Sequence, residues 1–181
     1  HGGDILMYGQ SDAANGFASD ESHGIQLYDV NILTGGGDLL LRGDSTGAVV
    51  TSGDAGVSLY QTTIDTGGGQ VTLTGTGANA AGGVYARGDS VRINAGAIDI
   101  NGTASGNSDG VAIFDVGLVT SAGDIHIVGA GGGRGVVWSD YGSGMLAYGG
   151  AIYVHGMSSQ GNGTDLTGTI DSGGGAITLY G

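Results

Sequence analysis

Residues 64–75 read Ile-Asp-Thr-Gly-Gly-Gly-Gln-Val-Thr-Leu-Thr-Gly, and closely similar segments return at 32–43 and 170–181. In each copy, glycines precede a short segment in which apolar and variable residues alternate. Alternation at period two is typical of a β-strand that buries one face. The same Gly-led strand is found beginning at Gly3, Gly37, Gly69, Gly96, Gly123, Gly150 and Gly175. The chain is therefore built on a repeated strand.

Two further apolar positions return between these copies. They predict a second strand beginning at Ile25, Val57, Val84, Val111 and Trp138, and a third beginning at Ile32, Ile64, Val91, Leu118, Met145 and Ile170. The second-to-third step and the step to the next first strand are both seven residues. The first-to-second step is 13 residues, or longer where Ser11–Ser22 and Asp44–Asp54 are inserted. In the sixth coil this register falls on Gly163, which predicts a degenerate second strand there. Because only the first-to-second step varies in length, the insertions are predicted to be confined to one corner.

Seven residues hold one short strand and one tight turn, so three strands and three turns complete a coil of about 27 residues. We predict an all-β protein, a right-handed parallel β-helix (solenoid) with three short strands per coil and about six coils. Handedness follows the rule for parallel crossovers. Residues 1–181 would form a single solenoid segment with one continuous apolar core. An antiparallel sandwich would lack the fixed seven-residue steps, and a propeller blade of roughly 40 residues is too long.

Composition favours strands and turns, and it narrows the range of partners. The chain has 43 Gly without Pro or a triplet period, which excludes collagen, and it has no Cys for disulfides. Seventeen acidic residues stand against four Arg and no Lys, giving a net charge of −13. Such a chain lacks a basic patch for phosphates, so nucleic acid and anionic membranes are disfavoured as partners. No apolar stretch reaches the length needed for membrane insertion.

The units at 32–43, 64–75 and 170–181 resemble the filamentous-haemagglutinin-like β-helix repeats of very large bacterial surface exoproteins. The resemblance extends over essentially the whole chain, and its motifs encode the geometry of a coil rather than a ligand. It implies a right-handed β-helix on or outside a bacterial cell, exported by two-partner or related secretion. It also implies a role in adhesion, fibres or sheaths.

Three aspartates occupy the same position, just before the first strand: Asp4, Asp38 and Asp124. Stacked carboxylates repel one another unless a cation or backbone N–H groups relieve the charge. They are weak candidates for calcium, the one cofactor considered. The alternative is that each carboxylate accepts a hydrogen bond within its own turn.

Aromatic side chains are predicted to lie outward on two faces. Tyr28, Tyr60 and Phe114 share one outward position of the second strand, which Arg87 interrupts, and Tyr8, Tyr153 and Tyr180 lie outward on the first strand. An exposed aromatic stripe stacks on sugar rings or docks a neighbouring fibre. The alternative is stacking that only strengthens the sheet.

No catalytic set stands out, and we expect no enzymatic activity. Asp99 and Asp124 would lie on neighbouring coils one residue out of alignment, and Arg87 and Arg92 stand apart from them. His126 and His155 would face outward on a diagonal without a nearby carboxylate, which makes a poor metal site.

The expected function is that of an extracellular or cell-surface structural or adhesive fibre segment. First strands at His1–Met7 and Gly175–Gly181 would leave sheet edges open. The expected partners are further coils, stacked head to tail or continuing the same chain, and glycans or the surface of a host or neighbouring cell. The alternative function is a carbohydrate-binding or polysaccharide-degrading β-helix.

Overall fold

The computed structural model describes residues 2–11, 22–47, 54–78 and 82–181, and these contain nineteen strands and no helix. Numbered in chain order, the strands form three parallel sheets. Sheet A contains β1 (Ile5–Gln10), β4 (Leu39–Ser45), β7 (Gln70–Gly77), β10 (Ala97–Ala104), β13 (Ile125–Gly131), β16 (Ile152–Ser158) and β19 (Ile177–Tyr180). Sheet B contains β2 (Ile25–Tyr28), β5 (Ala55–Tyr60), β8 (Gly82–Arg87), β11 (Val111–Phe114), β14 (Val136–Ser139) and β17 (Thr164–Thr167). Sheet C contains β3 (Asn31–Leu33), β6 (Thr63–Asp65), β9 (Arg92–Ala95), β12 (Gly117–Thr120), β15 (Met145–Ala147) and β18 (Ile170–Asp171).

Each strand inside a sheet pairs in parallel with the third strand before it and the third after it, and each edge strand has one such partner, so the backbone winds through sheets A, B and C in turn. The coils contain about 27 residues. The prediction of an all-β solenoid with three strands per coil is confirmed.

The core consists of side-chain ladders that run along the axis of the solenoid. Sheet A contributes two ladders whose members lie directly opposite one another in register: Ile5, Leu39, Val71, Ile98, Ile125, Ile152 and Ile177, and then Met7, Leu41, Leu73, Ile100, Ile127, Val154 and Leu179. Inward residues of sheets B and C pack against them in one buried cluster. No single coil could bury these side chains alone, so stacking supplies the hydrophobic stabilisation.

The predicted start of the fifth second strand is wrong by two residues. Val136 lies opposite Val111, and Trp138 lies opposite Ile113 as the next inward residue. The step from Ile125 to Val136 is shorter than predicted, and the step from Val136 to Met145 is longer by the same amount. The two changes cancel, so spacing alone could not reveal them.

The third coil contains a similar compensated shift. Ile93 occupies the sheet C ladder position predicted for Val91, opposite Ile64 and Leu118. Val91 is buried in the preceding turn, where its N–H donates to the carbonyl of Gly88 at 2.8 Å. The prediction that insertions are confined to one corner is therefore wrong. In the sixth coil, β17 begins at Thr164 directly after Gly163, and three of its four residues are polar.

Two columns of glycine meet at corner 1, the corner between sheets A and B. One column lies in sheet A, and it comprises Gly9, Gly43, Gly75, Gly102, Gly129 and Gly156. The facing column comprises Gly24, Gly56, Gly83, Gly110, Gly135 and Gly163. A Cβ built on any sheet A member would lie between 1.7 and 2.1 Å from the carbonyl oxygen of the facing glycine. The two backbones touch here, and only glycine fits this neck.

Beyond the neck, the chain leaves the coil and returns, forming a ledge from residues 103–109, 130–134 and 157–162. Backbone hydrogen bonds join its layers, for example Gly133 N–H to Ser108 O at 3.0 Å and Gly135 N–H to Asn162 O at 3.1 Å. The insertions predicted at Ser11–Ser22 and Asp44–Asp54 fall at this corner, and most of their residues lie outside those that the structure describes.

Corner 3, between sheet C and the next strand of sheet A, is closed by a buried hydroxyl. In four coils a Thr or Ser donates to the carbonyl three residues later, at 2.5 to 2.6 Å; the donors are Thr34, Thr66, Thr120 and Ser172. In the Thr-Gly-Gly-Gly version of this corner the first two glycines have positive φ, 62° and 117° at Gly67 and Gly68. The hydroxyl and the glycines together explain the motif that returns in the sequence.

Candidate functional site

The three aspartates considered for calcium each accept a hydrogen bond from a backbone N–H of the next coil. Asp4 Oδ1 accepts the N–H of Asp38 at 2.9 Å, and Asp38 Oδ1 accepts the N–H of Gln70 at 2.8 Å. Asp124 Oδ1 accepts the N–H of Ala151 at 2.7 Å. The hydrogen bond runs to the adjacent coil rather than to the turn of the same residue, contrary to the predicted alternative. Because this hydrogen bond by itself accounts for aspartate at the position, calcium binding stays an untested prediction.

The outward aromatic row of sheet B is divided into two pairs. Tyr28 and Tyr60 stack with their ring centroids 5.2 Å apart and their planes at 14°. Arg87 lies between Tyr60 and Phe114 in register, as predicted, and it separates the two. Phe114 instead contacts Tyr85, at 6.0 Å between centroids. The row is therefore not a continuous stripe.

On sheet A, the predicted aromatic residues lie at opposite ends. Tyr8 is on β1, whereas Tyr153 and Tyr180 are on β16 and β19. Tyr153 and Tyr180 form a cluster with the two histidines, in which Tyr180 is exposed and the other three side chains are half-buried. Tyr153 stacks on His126 at 4.8 Å between centroids, and Tyr180 contacts both Tyr153 and His155 at about 5.9 and 5.8 Å. This sheet A cluster combines one stacked pair with tilted and edge-on rings, so it offers an uneven aromatic surface.

The prediction that no carboxylate lies near the histidines is wrong. Asp99 lies directly opposite His126, and its Oδ1 is 3.1 Å from His126 Nδ1. Asp99 also accepts a hydrogen bond from the side-chain amide of Asn101 at 2.8 Å. Register therefore joins Asp99, His126 and Tyr153 in one row across three coils.

The residues considered for catalysis do not come together. Asp124 lies beside Ala97 rather than Asp99, because Ile98 pairs with Ile125. The two carboxylates are therefore two positions apart, and the predicted offset of one residue is wrong. Arg87 is on sheet B and Arg92 on sheet C. Among the residues that the structure describes, no group of three or more His, Asp or Glu could hold a metal ion.

The structure reveals a groove that the sequence did not indicate. It lies between the ledge and the outer face of sheet B, has a volume of about 560 Å³, and is lined by residues that include Gly82, Tyr85, Asp109, Ala112, Arg134 and Gln160. These residues come from four successive coils. The groove therefore runs along the axis of the solenoid, and we call it the axial groove.

A fixed ion pair forms one wall of the axial groove. Arg134 Nε donates to Asp109 Oδ1 at 3.1 Å and Arg134 Nη2 to Asp109 Oδ2 at 2.8 Å, while the Arg134 backbone N–H donates to Oδ1 at 2.9 Å. Arg134 Nη1 lies 3.5 Å from Asp165 Oδ2. The hydrogen bond to Asp109 raises the pKa of Arg134. The two side chains remain 37% and 21% exposed, so the pair is both fixed and accessible.

Tyr85 contributes an aromatic ring to the floor of the groove. The ring is held on one side by its tilted contact with Phe114. A hydrogen bond with Tyr85 raises the pKa of the exposed Arg87 guanidinium. Tyr85 thus has a defined position in the groove that the ion pair also lines.

The axial groove was missed because its ion pair departs from the period of the coil. Asp109 and Arg134 are 25 residues apart, whereas most coils contain about 27. The fifth coil shortens corner 1, which brings Arg134 opposite Asp109. The one sequence feature that could have pointed to this ion pair is the scarcity of Arg. With only four Arg among 17 acidic residues, each Arg is a candidate for a specific ion pair.

None of the described segments forms a helix with the length and apolar character needed to span a membrane. Comparison of the chain with protein-family models, with curated proteins and with solved structures finds no match.

Proposed function

We propose that the chain is an extracellular structural or adhesive fibre segment of a bacterial surface or secreted protein, without enzymatic activity. The observation that carries the proposal is the contrast between the two faces of sheet A. The inward ladders contain only Ile, Leu, Val and Met. One outward row instead reads Leu6, Leu40, Thr72, Asp99, His126, Tyr153 and Thr178.

A uniform core with a variable surface supports a scaffold role. Each coil contacts only its neighbours, so coils extend the rod without changing the fold. Each coil also presents different chemistry outward, as the sheet A cluster illustrates at one end of the sheet. A rod of this kind holds contact surfaces at fixed separations of about 4.8 Å per coil.

The use of the carboxylates also supports a non-catalytic role. Besides the three that bond the next coil, several accept backbone N–H groups in turns, among them Asp44 from Thr46, Asp65 from Gly67 and Asp171 from Gly173. Asp140 is 5% exposed and accepts N–H groups of Gly142 and Gly144. Acidic residues engaged in this way stabilise turns and are not free to act as paired acids and bases.

The edge strands support association of coils end to end. Ile177 and Leu179 belong to the inward ladders, yet they are 46% and 48% exposed at the edge formed by β19. At the other edge, the ladder residues Ile5 and Met7 are only half-buried. Exposed ladders and unpaired strand edges favour pairing with further strands.

Electron microscopy and sedimentation velocity over a wide concentration range test the proposal. We expect filaments or concentration-dependent assembly, which the double substitution Ile177→Lys and Leu179→Lys abolishes. The matched control introduces Thr178→Lys and Tyr180→Lys on the same strand, where the side chains face outward, and should retain assembly. A chain that stays monomeric at all concentrations and adheres to no cell or matrix surface would contradict the proposal.

The axial groove favours carbohydrate binding as a second candidate function. A glycan array combined with a reducing-sugar assay separates the possibilities. Binding without turnover supports an adhesive role, whereas release of reducing ends would identify a polysaccharide-degrading β-helix instead.

A further inference from the structure

We infer that the axial groove binds a linear, uncharged oligosaccharide along the axis of the solenoid, with Tyr85 as the stacking surface and the Asp109–Arg134 pair as the polar anchor. The inference rests on the adhesive part of the proposed function and deepens it by naming the ligand class. It places the binding site on corner 1 rather than on the aromatic faces that the sequence indicated.

The shape of the groove fits an extended chain. Tyr85, Asp109, Arg134 and Gln160 belong to four successive coils, which are separated by three axial steps of about 4.8 Å, or about 14 Å in all. One long wall is the ledge, and the floor is the outer face of sheet B with Tyr85 and Ala112. A site of this length along one direction suits a short polymer segment better than a compact ligand.

The ion pair selects hydroxyl groups over ions. Arg134 has N–H donors beyond the two that contact Asp109, and Asp109 has acceptor capacity beyond the Arg134 contacts. Donors and acceptors fixed side by side match sugar hydroxyls, because each hydroxyl both donates and accepts. An anionic ligand needs donors alone, and Asp109 and Asp165 would repel it. A cationic ligand needs accessible carboxylate charge, whereas Asp109 and Asp165 are both paired with Arg134. Asp54, which also lines the groove, is only 3% exposed and accepts the N–H of Ser22.

The fixed geometry of the pair lowers the entropic cost of binding. Arg134 is held by three hydrogen bonds to Asp109 and by its ion pair with Asp165. A side chain already ordered in the free protein loses little rotamer freedom on binding. Gln160 extends the polar wall by one coil, and its amide both donates and accepts.

Tyr85 supplies the apolar contact that sugar recognition requires. The face of a sugar ring that carries C–H groups packs on an aromatic ring, while the hydroxyls at its edge form hydrogen bonds. Tyr85 is half-buried in β8 and lines the groove together with Asp109. Because its ring contacts Phe114, it is held in place for such stacking.

Isothermal titration calorimetry on the intact chain tests the inference with three hexasaccharides: β-1,4-linked glucose, β-1,4-linked N-acetylglucosamine, and galacturonic acid. We expect at least one uncharged hexasaccharide to bind and the galacturonic acid hexamer not to bind. Tyr85→Ala and Arg134→Gln should each weaken binding about tenfold. Arg134→Lys should weaken it as much, since Lys lacks the planar fork. Tyr85→Phe should retain binding because it keeps the ring.

Matched controls remove the same groups elsewhere. Tyr141→Ala deletes an exposed ring and Arg92→Gln an exposed guanidinium, both outside the groove, and neither should change the affinity. Thermal unfolding of every variant identifies losses that come from misfolding, and the Tyr85 variants test the site independently of the ion pair.

Three outcomes would overturn the inference: no uncharged hexasaccharide binds, the galacturonic acid hexamer binds as well as the uncharged ones, or Tyr85→Ala and Arg134→Gln leave binding unchanged. These outcomes are distinct from failure of the proposed function. A chain that binds a hexasaccharide through the groove but does not assemble would contradict only the fibre role, and a chain that assembles but binds no hexasaccharide would contradict only the inference.

Discussion

Corner 3 and corner 1 both turn the chain through a coil, yet they differ in what fixes them. Corner 3 is closed in four coils by a hydroxyl that donates to a carbonyl three residues later, as Thr66 does to Gly69 at 2.5 Å. Corner 1 is closed by contact between two backbones, as at Gly102 and Gly110. Beyond that contact the chain is free to vary in length. One corner therefore repeats, while the other repeats only at its neck and carries a ledge with the axial groove.

The neck of corner 1 should be the most sensitive position. A Cβ on Gly102 would lie 2.0 Å from the carbonyl oxygen of Gly110, so Gly102→Ala forces the backbones apart. We expect the free energy of unfolding to fall by about 3 kcal/mol. Urea unfolding followed by the fluorescence of the buried Trp138 measures it. Gly142→Ala is the control, since a Cβ there meets nothing within 4 Å. Equal midpoints for the two variants would show that the neck tolerates side chains.

Corner 3 should respond less, because only one hydrogen bond is lost. Thr66→Val keeps the shape of the side chain and removes the hydroxyl that donates to Gly69 O. Gly69 O keeps the N–H of Gly96 as a donor at 2.8 Å, so the variant loses one buried hydrogen bond, at a cost of about 1–1.5 kcal/mol. Thr72→Val removes a hydroxyl on the outward face of sheet A and should change stability by less than about 0.5 kcal/mol. A loss at Thr66 no larger than that at Thr72 would remove the hydroxyl from our account of this corner.

The aspartates that follow corner 3 should have a smaller effect. Asp38→Ala removes the acceptor for the N–H of Gln70, which water partly replaces because the site is exposed. We expect a loss of about 1 kcal/mol in urea unfolding. Gln70→Ala keeps the backbone donor and serves as the control. If both variants lose the same stability, the carboxylate does not stabilise the adjacent coil.

The smallest expected effect lies on the corner 1 side, at Asp44. The hydroxyl and the backbone N–H of Thr46 donate to its carboxylate at 2.6 and 2.8 Å and lower the pKa of Asp44. Because the pKa is lowered in the folded state, the ionised carboxylate stabilises the protein at any pH above the ordinary pKa of Asp. This stabilisation is lost as the pH falls through the lowered pKa of the folded state. Because the group is exposed, we expect less than about 0.5 kcal/mol.

NMR titration of the Asp44 side-chain carboxyl carbon measures the pKa of Asp44 directly. Thr46→Val should move the pKa of Asp44 up toward its ordinary value. Thr76→Val, which removes a hydroxyl opposite Asp44 on the next coil, should leave the pKa in place. A larger shift in the second variant would assign the effect to the neighbouring strand.

The contrast between the corners also explains which features were readable from the sequence. A glycine followed by alternating apolar residues marks the strand after corner 3 in every coil, so all seven sheet A strands were located correctly. Trp138 and Val91 were misplaced because a shorter turn in one place and a longer turn in another leave the length of the coil unchanged. Spacing measures the sum of two turns and not each of them.

The candidate site was less predictable than the fold for a physical reason. The paired residues Asp109 and Arg134 lie on a ledge whose length differs from coil to coil, so no period relates them. The proximity of Asp99 to His126 follows from register alone and was readable once the sheet A ladders were aligned. The contact between the rings of Tyr85 and Phe114, which lie on neighbouring outward rows, could be located only from the geometry of the outer face of sheet B.

The parallel pairing of every strand has a mechanical consequence. The hydrogen bonds between coils point along the rod, so a pulling force along the axis separates the coils one after another rather than shearing many hydrogen bonds at once. Such a rod should lengthen under tension in steps, with each opened coil of about 27 residues releasing roughly 90 Å of extended chain. A fibre made this way would yield gradually and absorb work where a shear-loaded domain would resist and then rupture.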